Sequence, residues 1–520
     1  MNLAEFPMLT ILTLVPLLSG IVLIGFDSEQ KKLARGLAFT ASVIALALGV
    51  LTWLNFDPSS PDIQFEQRHS WIPTLGIEYF VGIDGLGLLL VLLTAIVMPM
   101  AILASWKIEE RVPLYFSLVL FLEAGLIGTF TALNFFHWFI FWELSLIPAF
   151  FLIKFWGGAD RSFAATQFFV YTMVGSVTML LGFLALYYAT GTFDFLELAE
   201  AAGDGGLATK LAAKISWPGL SAEGLSLLVF AAIFLGFAVK VPLIPFHIWL
   251  PTAYVEAPTP TTMLLTGLMS KMGVYGFLRV LLPLFPEEMR AVLNPLLWLA
   301  VITIIFSACA AFAQKDLKRI LAYSSINHLG YCLLGVFAAA TLTGIDGNWA
   351  TEKAAALNGV VLQMFNHGLT ASALFAFVGF LEQRSGGARS LDDFGGLRKA
   401  APVFCGLMGI VLFASLGLPG LNGFVGEFLI FKGAFSLATW ATGLSTLGLL
   451  VTAIFLLTLL QKVFNGPLNQ KWSAIPDLSW GERVVVVPAV GLMFVLGIYP
   501  QLAIGPINAT VQRMVEQLKF

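Results

Sequence analysis

The sequence predicts an all-α integral membrane fold, and three observations carry that prediction. The first is composition: of 520 residues, 58% are hydrophobic and 11% charged, against about 25% charged in an ordinary soluble domain. The second is a succession of apolar stretches, each near the roughly 20 residues that cross a ~30 Å hydrocarbon core. The third is a bias of Lys and Arg to alternate connections between those stretches, which sets membrane orientation. The same composition excludes other classes. A net charge of −3 with no extended basic run gives nucleic acid nothing to bind. Cys309, Cys332 and Cys405 stand singly, so the cysteines of this chain form neither an iron–sulfur ligand set nor a zinc site. The glycine clusters 82–87 and 417–423 match neither GxGxxG nor GxxxxGK.

Taken in order, fourteen spans are expected: 6–26, 33–54, 79–105, 112–132, 134–155, 163–188, 225–250, 258–282, 291–313, 316–340, 354–382, 401–435, 441–463 and 484–503. The first follows Glu5 rather than a basic segment and is read as a retained helix, not a signal peptide. Residues 55–78 and 190–224, rich in Gly, Pro, Ser and charge, are read as extramembrane. Most of the 28 Lys and Arg residues fall in the odd-numbered connections. Those loops are therefore cytoplasmic and both termini face the other side.

Two spans are expected to be broken. The seventh holds Val239-Lys-Val-Pro-Leu-Ile-Pro245, and proline removes a backbone donor and clashes with the preceding turn. The twelfth would be about 52 Å long at 1.5 Å per residue and is interrupted at Leu418-Pro-Gly420. Each is fourth in a run of five spans, 4–8 and 9–13, a pattern of inverted repeats whose paired broken helices mark midplane transport sites. The chain divides accordingly into N-terminal helices (1–110), a first five-helix unit (111–285), a second, inverted unit (286–465) and a C-terminal helix (466–520).

The interior of these spans carries ionisable residues. Placing one at a helix centre costs roughly 2.5–3.5 kcal/mol on insertion scales. Glu123 and Glu143 fall mid-span on helices 4 and 5, at nearly one depth. Lys240 marks the break in helix 7, Lys271 the middle of helix 8, His328 the middle of helix 10, His367 the middle of helix 11, and Glu427 follows the break in span 12. A single buried Glu or Lys serves a structural ion pair equally well, but such a series is harder to explain that way. For a buried lysine, desolvation and an approaching carboxylate push the pKa in opposite directions, so proton affinity can be moved. Histidine relays protons near neutrality. His247 is kept as a secondary position. His69, Asp84 and His137 are expected near the membrane surface. His328 and His367 could alternatively ligate a haem, although they lie among Ser, Asn and Thr.

Several segments resemble the antiporter-like subunits of the proton-pumping membrane arm of respiratory complex I, of the chain-4 type. These are Phe141-Trp-Glu-Leu-Ser-Leu-Ile-Pro148, His247-Ile-Trp-Leu-Pro251 through Ser270-Lys-Met-Gly-Val-Tyr-Gly276, Ala322-Tyr-Ser-Ser-Ile-Asn-His328, Asn366-His-Gly-Leu369 and Gly423-Phe-Val-Gly-Glu-Phe428. The resemblance implies that Glu143 pairs with Lys240, and that Lys271 is the central relay. It makes His328 and His367 connecting residues, Glu427 the terminal carboxylate and Glu123 a supporting site. It implies no cofactor in this chain, with quinone, flavin and iron–sulfur clusters in partner subunits. The implied partners are chain-2 and chain-5 type antiporter-like subunits, small membrane subunits and lipid. The implied location is a bacterial inner membrane, or a thylakoid membrane in a photosynthetic relative. Subunits of Mrp-type cation/proton antiporters share the same core and form the alternative reading. Thr252-Ala-Tyr-Val255 departs from the commoner run at that position.

Overall fold

The computed structural model describes residues 6–203, 206–215, 218–341 and 349–518. Among them, 12 helices are long and apolar enough to cross a membrane. They are joined by two shorter apolar helices, Met8–Ile24 and Pro402–Ser415. The polarity of the bundle is inverted relative to a soluble protein. Outer helices such as Arg161–Thr190 and Thr439–Phe464 turn Val174, Leu181, Leu450 and Ile454 outward. By contrast, Thr259–Leu284, Leu317–Ala339 and Trp349–Ser385 are almost wholly enclosed. These three carry Lys271, His328 and His367. In hydrocarbon the apolar side chains have no reason to hide, so the helices with polar groups take the centre.

Both expected breaks are present. The helix Ala222–Lys240 stops at its lysine, residues 241–248 form turns, and Trp249–Glu256 resumes as a short helix. The freed backbone is satisfied locally: the Trp249 indole donates to the Val239 carbonyl at 3.0 Å. The Leu243 amide donates to the Ala238 carbonyl at 2.8 Å, and that of Ile244 to the Thr303 hydroxyl at 3.1 Å. Pro402–Ser415 and Asn422–Leu437 flank the second break. There the Asn366 amide donates to the Asn422 carbonyl at 2.6 Å, and Leu418 N–H donates to the Phe413 carbonyl at 3.0 Å. Irregular backbone survives at membrane depth only where protein or a cavity surrounds it, and these bonds show how it does so here.

Three expectations need correction. The third span starts at Gly85, not residue 79, because Asp84 caps the helix Gly85–Ala104 by accepting from Gly87 N–H. The residues before it form an antiparallel hairpin, β1 (Gln64–Ile72) with β2 (Ile77–Ile83), turning through Gly76. The fold is thus helical with one small sheet. At the other end, Trp480–Ile498 is followed by a separate helix, Gln501–Gln517. Pro500 and the polar pattern beyond it end the apolar run. Its Thr510 hydroxyl accepts from Gly85 N–H at 2.9 Å.

The approach of two central helices rests on a pair of glycines. Gly267 and Gly368 lie back to back, and a Cβ on Gly368 would stand 2.7 Å from the Gly267 carbonyl oxygen. Gly368→Ala should therefore force the helices apart and destabilise the protein by about 1–3 kcal/mol, the usual cost of overpacking. A lowered thermal denaturation midpoint in the purified assembly checks this; an unchanged midpoint contradicts it.

Candidate functional site: a buried file of titratable side chains

Lys271 is completely buried. Its Nζ donates to the Thr266 carbonyl at 2.6 Å and contacts His367 Nδ1 at 2.8 Å, with Ser270 Oγ at 3.4 Å. The Thr266 carbonyl is within reach because residues Leu265–Met269 form a π-helical turn, a distortion that frees backbone groups and recurs at functional sites. An ammonium and an imidazolium cannot face each other across 2.8 Å without an acceptor between them, so Lys271 and His367 hold one shared proton at this contact.

The His367 ring stacks on that of His328, with centroids 5.0 Å apart and planes at 18°. His328 Nδ1 lies 2.8 Å from the Ser324 carbonyl and Nε2 lies 2.9 Å from the Ser415 carbonyl. A carbonyl only accepts. The neutral ring, with one N–H, satisfies one of them, and the imidazolium satisfies both. Glu427 Oε1, 3.4 Å from Nε2, supplies the counter-charge, and Gln363 Nε2 donates to the same oxygen at 3.3 Å. Stacked rings leave no space for a porphyrin between them, so the haem alternative fails on geometry. Among the described residues there is no group of three His, Cys, Asp or Glu side chains placed to hold a metal.

The other half of the site is looser. Lys240, buried at the first break, has no hydrogen-bond partner and lies 4.9 Å over the Trp142 ring. Glu143 is the acidic group whose charge acts on it, and the Ser176 hydroxyl faces that carboxylate. No Glu143–Lys240 contact falls within ion-pair distance among the described residues, so the pair implied by resemblance stands open. The Trp142 indole donates to Ser176 Oγ at 3.0 Å, which holds ring and hydroxyl on one wall.

Glu123 is fully buried, and neither of its oxygens has a partner. No charged group acts on it, so it does not couple to Glu143 despite their common depth. His247 packs against Phe306 and Tyr323 with Nδ1 unpaired, apart from the series that runs from Lys271 to Glu427. His69 is exposed, and His137 is buried beside Tyr79.

Asp84, at the start of its helix, forms a buried ion pair with Arg279 at 2.7 Å. Lys271, Tyr275 and Arg279 recur every fourth residue on one helix face. Gln363, Trp142 and Ser176 escaped notice because a polar or aromatic residue in an apolar span has no spacing that marks it.

Fold and site together define a multi-pass helical membrane protein with titratable groups strung through its interior. Residues 132–455 match the family model described as NADH:quinone oxidoreductase/Mrp antiporter, TM, and the chain belongs to that family. It is 36% identical to the NADH-quinone oxidoreductase subunit M of Rhodobacter capsulatus, over 98% of this chain and 96% of that one. It is 39% identical to the F(420)H(2) dehydrogenase subunit M of Methanosarcina mazei, over 91% of both. A chain of respiratory complex I from Thermus thermophilus superposes with a TM-score of 0.82 at 28% identity, covering 98% of this chain and 100% of that one. A chain of the Mrp complex from Dietzia sp. reaches the same TM-score at 20% identity, covering 100% of each, a likeness of fold.

At the second break, Gly417 has φ +79°, and a Cβ there would come within 2.6 Å of Glu427 Oε2. Gly417→Ala should push the carboxylate away and lengthen its 3.4 Å approach to His328. A structure of the variant in the assembled complex tests this, and an unmoved carboxylate contradicts it.

Proposed function

We propose that this chain is a proton-translocating membrane subunit of a complex I–like oxidoreductase, in which quinone reduction elsewhere in the complex drives proton transfer through the buried Glu, Lys and His side chains. The observation that carries the reading is the unbroken contact series Lys271–His367–His328–Glu427 inside the bundle. The subunit holds no redox centre of its own; flavin, iron–sulfur clusters and quinone belong to partner subunits. Its neighbours are antiporter-like subunits of the chain-2 and chain-5 type, small membrane subunits and lipid, in a bacterial inner membrane or a thylakoid membrane. Fourteen crossings, two inverted five-helix units (111–285 and 286–465), N-terminal helices 1–110 and a C-terminal segment 466–520 complete the architecture.

In this mechanism Lys240 and Glu143 form the adjustable end. When Glu143 approaches, the ammonium is stabilised; when it withdraws, burial favours release of the proton. Lys271 accepts the proton and shares it with His367. His328 takes it up between its two carbonyls and passes it to Glu427, the outermost member of the series. Each transfer returns the donor to its starting state once the next proton arrives.

In the intact complex, Glu143→Gln and Lys240→Ala should each cut proton translocation coupled to quinone reduction by about tenfold, equivalent to roughly 1.4 kcal/mol on the limiting step. Proton uptake by reconstituted vesicles, measured beside the rate of quinone reduction, decides it. Normal assembly with wild-type pumping in both variants would refute these roles. A mass-spectrometric inventory of co-purifying proteins separates the Mrp-type alternative: flavin and iron–sulfur proteins support the present reading, whereas small membrane proteins alone support the antiporter.

A further inference from the structure

A second polar file leads to Lys271 from the cytoplasmic face, through residues that the contact series above does not use. On the helix Thr259–Leu284, the hydroxyls of Thr259, Thr262, Thr266 and Ser270 recur at intervals of three and four residues, and all are buried. Such spacing places them on one face, about a turn or 5.4 Å apart, a separation that one water bridges. The file is tied to its surroundings. Thr266 Oγ1 and Ser325 Oγ are 2.8 Å apart, and Ser270 Oγ donates to the Thr266 carbonyl at 2.9 Å. Tyr254 extends the file: it is fully buried, and its hydroxyl faces those of Thr266 and Ser270.

The file starts at a carboxylate. Thr259 Oγ1 donates to Glu382 Oε2 at 3.0 Å, and the same oxygen lies 3.1 Å from Lys318 Nζ. Arg389 NH1 is 3.6 Å from Glu382 Oε1 and is also paired with Asp316 at 3.2 Å. Lys318 is buried and donates to the Ala257 carbonyl at 3.3 Å as well. Beside Glu382 opens a cleft of ≈ 540 Å³ that Thr259, Lys107 and Gln383 also line. It lies on the side of the odd-numbered connections, the cytoplasmic one.

We infer that Glu382 is the proton entry point for Lys271, that the Thr259–Thr262–Thr266–Ser270 hydroxyls conduct from it, and that the Lys318–Glu382 ion pair is the gate. This rests on the proton-translocating function proposed above and gives Lys271 a second source beside the Lys240 end. Glu382 takes a proton from hydronium in the cleft, leaving water behind, and its hold on Lys318 weakens. It then gives the proton to the file, where each hydroxyl accepts one proton and donates another. The last donation converts the Lys271 amine to ammonium, and every hydroxyl ends as it began. Hydronium enters the cleft and leaves as water, and no electrons move.

The test uses the reconstituted complex, with proton uptake followed across a pH series and assembly checked by electron transfer to a soluble acceptor. Glu382→Gln should slow uptake about tenfold or more, within the range for removing a positioned acid–base group. Glu382→Asp should restore most of the rate. Thr266→Val, which keeps the carbonyl that holds Lys271, should slow uptake by a smaller factor. If Glu382→Gln does not assemble, Thr266→Val decides alone. Wild-type rates and profiles in both variants, with Lys271→Met impaired, would overturn the entry route and leave the subunit's function standing. Wild-type pumping by Lys271→Met as well would overturn both.

Discussion

The Lys271 amine, held between a carbonyl that a π-helical turn leaves free and the ring of His367, is the contact around which the interior is arranged. A lysine in hydrocarbon must find acceptors or give up its charge. Here the acceptors are one carbonyl and one imidazole nitrogen, so the site holds a proton without a fixed counter-ion. That absence matters. A full carboxylate partner would trap the ammonium, whereas a neutral ring shares it. The glycine pair Gly267 and Gly368 lets the two helices close enough for this contact.

Around that centre, the broken helices place charges where their own dipoles favour them. Lys240 ends the helix Ala222–Lys240, and His328 faces the Ser415 carbonyl that ends Pro402–Ser415. Both are C-terminal ends, where positive charge is stabilised. Glu427 lies in the second turn of Asn422–Leu437, near its positive end. A charge that is stabilised by a dipole rather than by a rigid salt bridge can be gained and lost at modest cost. The two breaks therefore do the same electrostatic job at separate points of the bundle.

Much of this was legible in the residues. The helical class and both breaks follow from apolar run length and from Pro and Gly placement, because insertion into hydrocarbon penalises exceptions strongly. What stayed hidden is azimuthal. Depth puts Glu123 and Glu143 level, yet only the rotation of each helix decides that Glu143 meets Lys240's field and Glu123 meets no charge. The Asp84 ion pair stayed hidden because its partner, Arg279, lies 195 positions away. The hairpin Gln64–Ile83 was missed since two short strands carry little periodicity against apolar spans. The burial of Lys318 comes from packing against neighbouring helices, which the sequence does not specify.

The central claim is that a continuous proton-conducting line joins the two lysines through the bundle. It is tested most directly by a structure of the assembled complex in lipid, at a resolution that shows ordered water, in the region between Lys240 Nζ and Lys271 Nζ. No side-chain hydrogen bond spans that gap among the described residues. The account predicts a file of waters there, each with two or more polar partners, in at least one state of the complex. Tightly packed apolar side chains filling the gap in every state would contradict it.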